Sequence, residues 1–104
     1  MADAHLKTLL QKAKSKPCNC VVAAEGNKKV ALILSNRAIS GAQKQAAKDR
    51  AGGAKVHTGV VEGGSGGGLV FTVAGEMPGT ADAIIKRYIT QQTGLRLSVA
   101  FRKA

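Results

Sequence analysis

The near absence of aromatic side chains is the feature that most constrains the fold of this chain. Its 104 residues include no Trp, one Tyr and two Phe, although 44% of the residues are apolar. The core therefore has to be built from small aliphatic side chains, which limits the area that each core position can bury. The length is that of one domain, and we predict a single domain spanning residues 1–104.

The first segment, residues 1–16, has the pattern of an amphipathic helix. Apolar residues recur at spacings of three and four, with lysines and glutamine on the opposite side. Pro17 ends this helix, because the residue before a proline is disfavoured in helical conformation. The predicted inner face consists of Leu6, Leu9, Leu10 and Ala13.

Residues 18–56 form the first predicted hairpin-plus-helix unit. Its strands are Cys18–Ala24 and Lys29–Leu34, joined by a turn containing Gly26 and Asn27. The second strand is apolar on both faces, which predicts a central strand covered on two sides. A helix follows, capped by Ser40 and ended by Gly52-Gly53. Its predicted inner face consists of Ala42, Ala46, Ala47 and Ala51.

Residues 57–104 form a second such unit followed by a final strand. A hairpin over residues 55–61 and 69–74 leads to a helix between Thr80 and Gly94, and strict alternation from Leu95 to Arg102 predicts the last strand. The predicted fold is α+β, in the order α-β-β-α-β-β-α-β, with the helices on one face of an antiparallel or mixed sheet. A shift of about 40 residues aligns the two units, as when Ser40 falls on Thr80, and suggests internal duplication of a ββα unit.

Positive charge gives the main indication of function. The chain has 16 Lys and Arg against 6 Asp and Glu, a net charge of +10, and most of the excess precedes residue 57. Such a surface attracts polyanions. We therefore predict a small basic protein that contacts the phosphates of nucleic acid with little base specificity. The predicted binding residues are Lys7, Lys12, Lys14, Lys16, Lys28, Lys29, Arg37, Lys44, Lys48 and Arg50.

Two motifs resemble ligand sites only in composition. Cys18 and Cys20 share a strand face, but a structural zinc site needs four ligands, usually as two separated pairs. No second pair of ligands accompanies either His. We therefore favour simple packing of the two thiols and expect no metal or cofactor. The run Gly63–Gly68 precedes a strand, whereas phosphate-binding glycine loops open a helix. We interpret it as a hairpin connection.

The segment Asn36–Gly41 is a better candidate for one phosphate, because helix N–H groups would add to the charges of Arg37 and Lys44. An ordinary capped helix is the alternative, and we favour it. The aromatic residues occupy predicted inward positions, which argues against base stacking.

No local pattern of catalytic residues is present, so we predict a protein without enzymatic activity. The alternative function is a protein-interaction module or homo-oligomer subunit, such as a homodimer, whose basic face docks an acidic protein. A third interpretation is that the lysines only maintain solubility. The lack of a long apolar run and the two cysteines lead us to expect a cytoplasmic protein without a membrane partner.

Overall fold

The computed structural model describes residues 4–26 and 28–104 and confirms the α+β fold and the order of its elements. Residues 1–3 of the predicted first helix and Asn27 of the predicted turn lie outside the described residues. A five-stranded mixed sheet is accompanied by three helices. The elements are α1 (Ala4–Ala13), β1 (Cys18–Ala24), β2 (Val30–Ser35), α2 (Gly41–Arg50), β3 (His57–Gly63), β4 (Leu69–Val73), α3 (Ala81–Thr93) and β5 (Val99–Lys103).

The strands lie in the order β2-β1-β3-β4-β5. Neighbouring strands are antiparallel except β4 and β5, which are parallel because α3 carries the chain back to the starting end of β4. Residues 95–98, predicted as part of the last strand, precede β5 and are not part of it, although the Ser98 carbonyl accepts the Leu69 N–H.

The larger part of the core lies between one face of the sheet and the helices α1 and α3. The predicted inner face of α1 is confirmed, since all four of its residues are buried. Phe71 is fully buried beneath these helices and stacks on Phe101, with 5.1 Å between the ring centroids. This layer contains most of the large side chains of the core, including Leu10, Ile85 and Ile89.

The opposite face of the sheet carries a smaller core under α2. Ala47 and Ala51 pack on Val21, Ala23 and Ala31, and small side chains on both elements allow the helix to approach closely. The prediction for Ala42 is wrong, because this residue is exposed. It lies about 140° around the helix from Ala47, at 100° per residue.

The prediction that β2 is a central strand is also wrong, because β2 forms one edge of the sheet. Both of its faces are covered as expected, by α1 and α3 on one side and α2 on the other. Two-sided burial results from helices that pack over the edge, and it does not require a neighbouring strand on each side.

We expected all three helices to pack on one face of the sheet, but they pack on both faces. The helix that follows the first hairpin packs on one face, whereas the helix that follows the second hairpin packs on the other. The resemblance between the two units is therefore one of element order, and their helices are not packed equivalently.

Beyond β1, the face under α2 has no helix to cover it in the described part of the chain. α2 contacts β1 and β2, so the remaining three strands present an open surface. The register places small, polar and charged side chains there, and Val60 is 37% exposed. These residues are Thr58, Val60, Glu62, Val70, Thr72, Ala100 and Arg102.

Gly59 provides a test of the sheet geometry. A Cβ atom at this position would meet the carbonyl oxygen of Thr72 and lie 2.7 Å from the Cα of Val73. We expect Gly59→Ala to lower the free energy of unfolding by about 1–3 kcal/mol, because backbone atoms of β4 must move to admit the methyl group. Urea titration measures this change.

Gly41→Ala is the matched control, because a Cβ there has no neighbour within 4 Å. We expect its stability to equal that of the wild type or to exceed it by up to about 1 kcal/mol, because alanine favours the helix and restricts the unfolded chain. Equal stability of both variants would contradict the close approach of β3 and β4.

Candidate nucleic-acid interface

The topology gathers several basic segments at one end of the sheet. α1 ends where β1 begins, and Asn19 of β1 pairs with Ser35 at the end of β2. The loop of residues 36–40 then leads into the first turn of α2. The end of β3 lies there as well, because Cys18 pairs with Val61.

Charge at this end is almost entirely of one sign. We call it the basic end; among the described residues it carries six cations and one carboxylate, Glu62. All six cations are exposed, and none has an ion pair in the part of the chain that the structure describes. The cations are Lys12, Lys14, Lys16, Arg37, Lys44 and Arg96.

Two clefts flank the loop of residues 36–40 at the basic end. The first, of about 480 Å³, is lined by Lys12, Lys16 and Asn36. The second, of about 280 Å³, is lined by Ala38, Lys44 and residues 58–60. Arg37 lies in the loop between them and is exposed.

The N-terminus of α2 is capped by its own side chains. The Ser40 hydroxyl accepts the Gln43 N–H at 3.1 Å, and the Gln43 side chain accepts the Ser40 N–H at 2.9 Å, which together form a capping box. This confirms that Ser40 caps α2, as predicted. Contacts to an anion at this loop would accordingly come mainly from the cationic side chains.

Three of the ten predicted binding residues lie at the opposite end of the sheet, and a fourth, Arg50, ends α2 and lines the cavity beside Leu32–Leu34 on the edge of β2. Lys29 approaches Gly52, which follows α2. This end also carries Lys55, Arg102 and Lys103, and four acidic residues offset part of its positive charge. Lys7 lies between the two ends on the exposed side of α1, about 7 Å from Lys12 along the helix axis. The three predicted residues at the opposite end are Lys28, Lys29 and Lys48; the four acidic residues are Glu25, Asp49, Glu76 and Asp82.

Arg96 belongs to the basic end but is missing from the predicted set. The Ser98 carbonyl accepts the Leu69 N–H at 2.8 Å, and Leu69 pairs with Gly63 at this end of the sheet. The position of Arg96 depends on the parallel pairing of β5, which no local sequence signal indicates.

The glycine run of residues 63–68 connects β3 to β4, as predicted, and contains one short 3₁₀ turn over Ser65–Gly67. Gly63 lies directly against the backbone of Lys14, where a Cβ would meet the Lys14 carbonyl oxygen. The glycine at this position therefore brings the connection close to the basic end.

Cys18 and Cys20 are buried free thiols, in agreement with the packing interpretation. The Cys18 thiol donates to the Ser35 carbonyl at 3.1 Å. His57 is also buried, with Nδ1 2.8 Å from the Ala74 carbonyl oxygen, so Nδ1 carries the proton. Within the described ranges, no three His, Cys, Asp or Glu residues are grouped so that they could hold a metal ion.

All three aromatic side chains contribute to the larger core, Phe71 as a fully buried residue and the other two as half-buried residues. Phe71 and Phe101 stack on each other, and Tyr88 is half-buried against the larger core. The basic end has no aromatic residue in its clefts. This arrangement offers charge to a nucleic acid but no stacking surface for its bases.

Comparison with protein-family models, curated proteins and solved structures finds no match to this chain. Among the residues that the structure describes, no helix is both long and apolar enough to cross a membrane.

Cys20 should make stability depend on pH. Burial raises the pKa of its thiol from 9.0 to about 12, with a further contribution from Cys18. The unfolded chain therefore loses this proton first, and the free energy of unfolding should fall between pH 9 and 12 by up to about 1.4 kcal/mol per pH unit.

Urea titrations of the wild type and Cys20→Ala across this range isolate the effect, because all other titrating groups are shared. The stability difference between the two proteins should change steadily with pH. Parallel curves would show that the thiol has no raised pKa in the folded protein.

Proposed function

We propose that this protein binds nucleic acid through phosphate contacts at the basic end. The observation that supports the proposal most directly is the sign of the charge there, with six cations and one carboxylate; three of the cations, Lys12, Lys16 and Lys44, line the two clefts beside the loop of residues 36–40. Unpaired Lys and Arg side chains gain affinity for a polyanion by releasing its condensed counterions.

The same geometry supports low base specificity. Long, flexible lysines recognise phosphate as point charges, and the clefts contain no aromatic side chain that could stack on a base. Binding should therefore tolerate changes in base sequence and weaken steeply with salt. We further propose a cytoplasmic location.

An acidic protein is the competing partner for this surface, since carboxylates and phosphates are both attracted to it. Only nucleic acid combines closely spaced phosphates with a condensed counterion layer, so the salt dependence of binding separates the two. About six phosphate contacts would give a slope of log affinity against log salt near −5 for duplex DNA.

The test compares two fourfold variants that change the net charge equally. One alters the basic end (Lys12→Gln, Lys16→Gln, Arg37→Gln and Lys44→Gln), and the other, the opposite-end variant, alters three residues of the opposite end and Arg50 (Lys28→Gln, Lys29→Gln, Lys48→Gln and Arg50→Gln). The basic-end variant should make the slope of log affinity against log salt less negative by about 3–4. It should also weaken the affinity at least about tenfold. The opposite-end variant should change the salt slope and the affinity much less.

Fluorescence anisotropy with labelled single-stranded DNA, duplex DNA and RNA at several salt concentrations provides the measurement. Equal losses in the two variants would show that only net charge matters, which would refute a localised site. A flat salt response of the wild type would refute nucleic-acid binding, and retained binding to polyglutamate in that case would favour the acidic protein.

A further inference from the structure

β5 forms the second edge of the sheet, and its outer backbone groups have no partner among the residues that the structure describes. The Ala104 N–H donates to the Val73 carbonyl at 2.9 Å, and the Ser98 carbonyl accepts from Leu69. Even-numbered residues of this segment therefore direct their backbone groups toward β4. By alternation, the N–H and C=O groups of Val99, Phe101 and Lys103 point away from the sheet, and no described strand lies on that side.

A cleft of about 420 Å³ runs beside this edge. β5 forms one wall, and the connection between β4 and α3 together with the first turn of α3 forms the other. Its apolar lining includes the half-buried side chains of Val99, Phe101 and Met77. The cleft is large enough for apolar side chains of a strand placed next to β5.

The other edge of the sheet lacks such a groove. The Glu25 N–H donates to the Lys29 carbonyl, so Lys29 directs its carbonyl toward β1. By alternation, the outward backbone groups of β2 belong to Val30, Leu32 and Leu34. Residues of α1 and α2 both line the cavity along this edge, which measures about 150 Å³. Helices therefore flank β2 on both faces, whereas β5 is open on the face that carries Arg102.

The charges near the cleft indicate what kind of strand would fit. Lys103 pairs with Glu76 at 2.6 Å, and the Asp82 carboxylate accepts the Ala83 N–H. Arg102 has no ion pair among the described residues and lies on the open face of the sheet. Alternate side chains of a strand added next to β5 would project on this face, beside Arg102. A second copy of the chain would bring a further net charge of +10, which opposes self-association through this edge.

We propose that β5 binds an extended peptide segment of another protein, which adds to the sheet as a sixth strand. Its backbone hydrogen-bonds to Val99, Phe101 and Lys103. Its alternate apolar side chains enter the cleft, and acidic side chains on the other face meet Arg102. This site is separate from the basic end and does not depend on nucleic-acid binding.

The test uses the blocked peptide Ac-Glu-Val-Glu-Val-Glu-Val-NH₂ and, as a control of equal composition, Ac-Val-Val-Val-Glu-Glu-Glu-NH₂. Lys103→Pro removes an outward N–H without removing a bond to β4, and proline is tolerated at such edge positions. Lys103→Ala is the matched control, because it loses the same side chain and ion pair but keeps the N–H.

NMR titration of the ¹⁵N-labelled full chain should show the alternating peptide shifting the amide signals of Val99, Phe101 and Lys103. We expect Lys103→Pro to bind it at least about tenfold more weakly than Lys103→Ala, because the proline ring also obstructs the partner backbone. The control peptide should bind less tightly than the alternating one.

Three results would overturn the proposal. The first is the absence of amide shifts in the wild type at millimolar peptide, and the second is a set of shifts at the basic end, which would mean that charge alone binds the peptide. Sedimentation could instead reveal a dimer that Lys103→Pro dissociates, which would make a second copy the occupant. The NMR titration of the wild type tests the proposal even if Lys103→Pro does not fold.

Discussion

The structure depends on the burial of β1 on both of its faces. Cys20 and Val22 face α1 and α3, whereas Val21 and Ala23 face α2, and all four are fully buried. A chain with so few aromatic residues gains burial by enclosing small side chains from two sides, since each contributes limited area. The pairing of β1 with both β2 and β3 then places the remaining strands relative to the helices.

The two helical layers differ in size, and this difference leaves part of the molecule open. Two helices cover one face of the sheet, but the single alanine-rich helix α2 spans only β1 and β2 on the other. The uncovered strands include β5, whose edge remains unpaired because the sheet ends there. The peptide site that we propose lies at this edge, between the α3 side of β5, which lines the cleft, and its uncovered face.

The directions of the helices and strands determine at which end of the sheet the positive charges lie. Lys12, Arg37 and Lys44 come from three separate segments, yet each segment begins or ends at the same end of the sheet. Lys28 and Lys48 belong to the same predicted set but lie at the opposite end of the sheet. β2 lies between Lys28 and Arg37, and Lys48 lies near the C-terminal end of α2. Composition alone indicated an attraction to polyanions; it could not divide the cations between two ends.

The sequence by itself determined the elements, their order and most of their buried faces, because hydrophobic period, Ser40 as a cap and Gly94 as a stop act within a few residues. Only the tertiary structure decided that β2 is an edge strand, that α2 opposes α1 and α3, and that Arg96 joins the basic end. These outcomes depend on pairings such as β1 with β3 and β4 with β5, which join segments distant in the chain. Local patterns are compatible with several such pairings, and the packing of the whole core selects one of them.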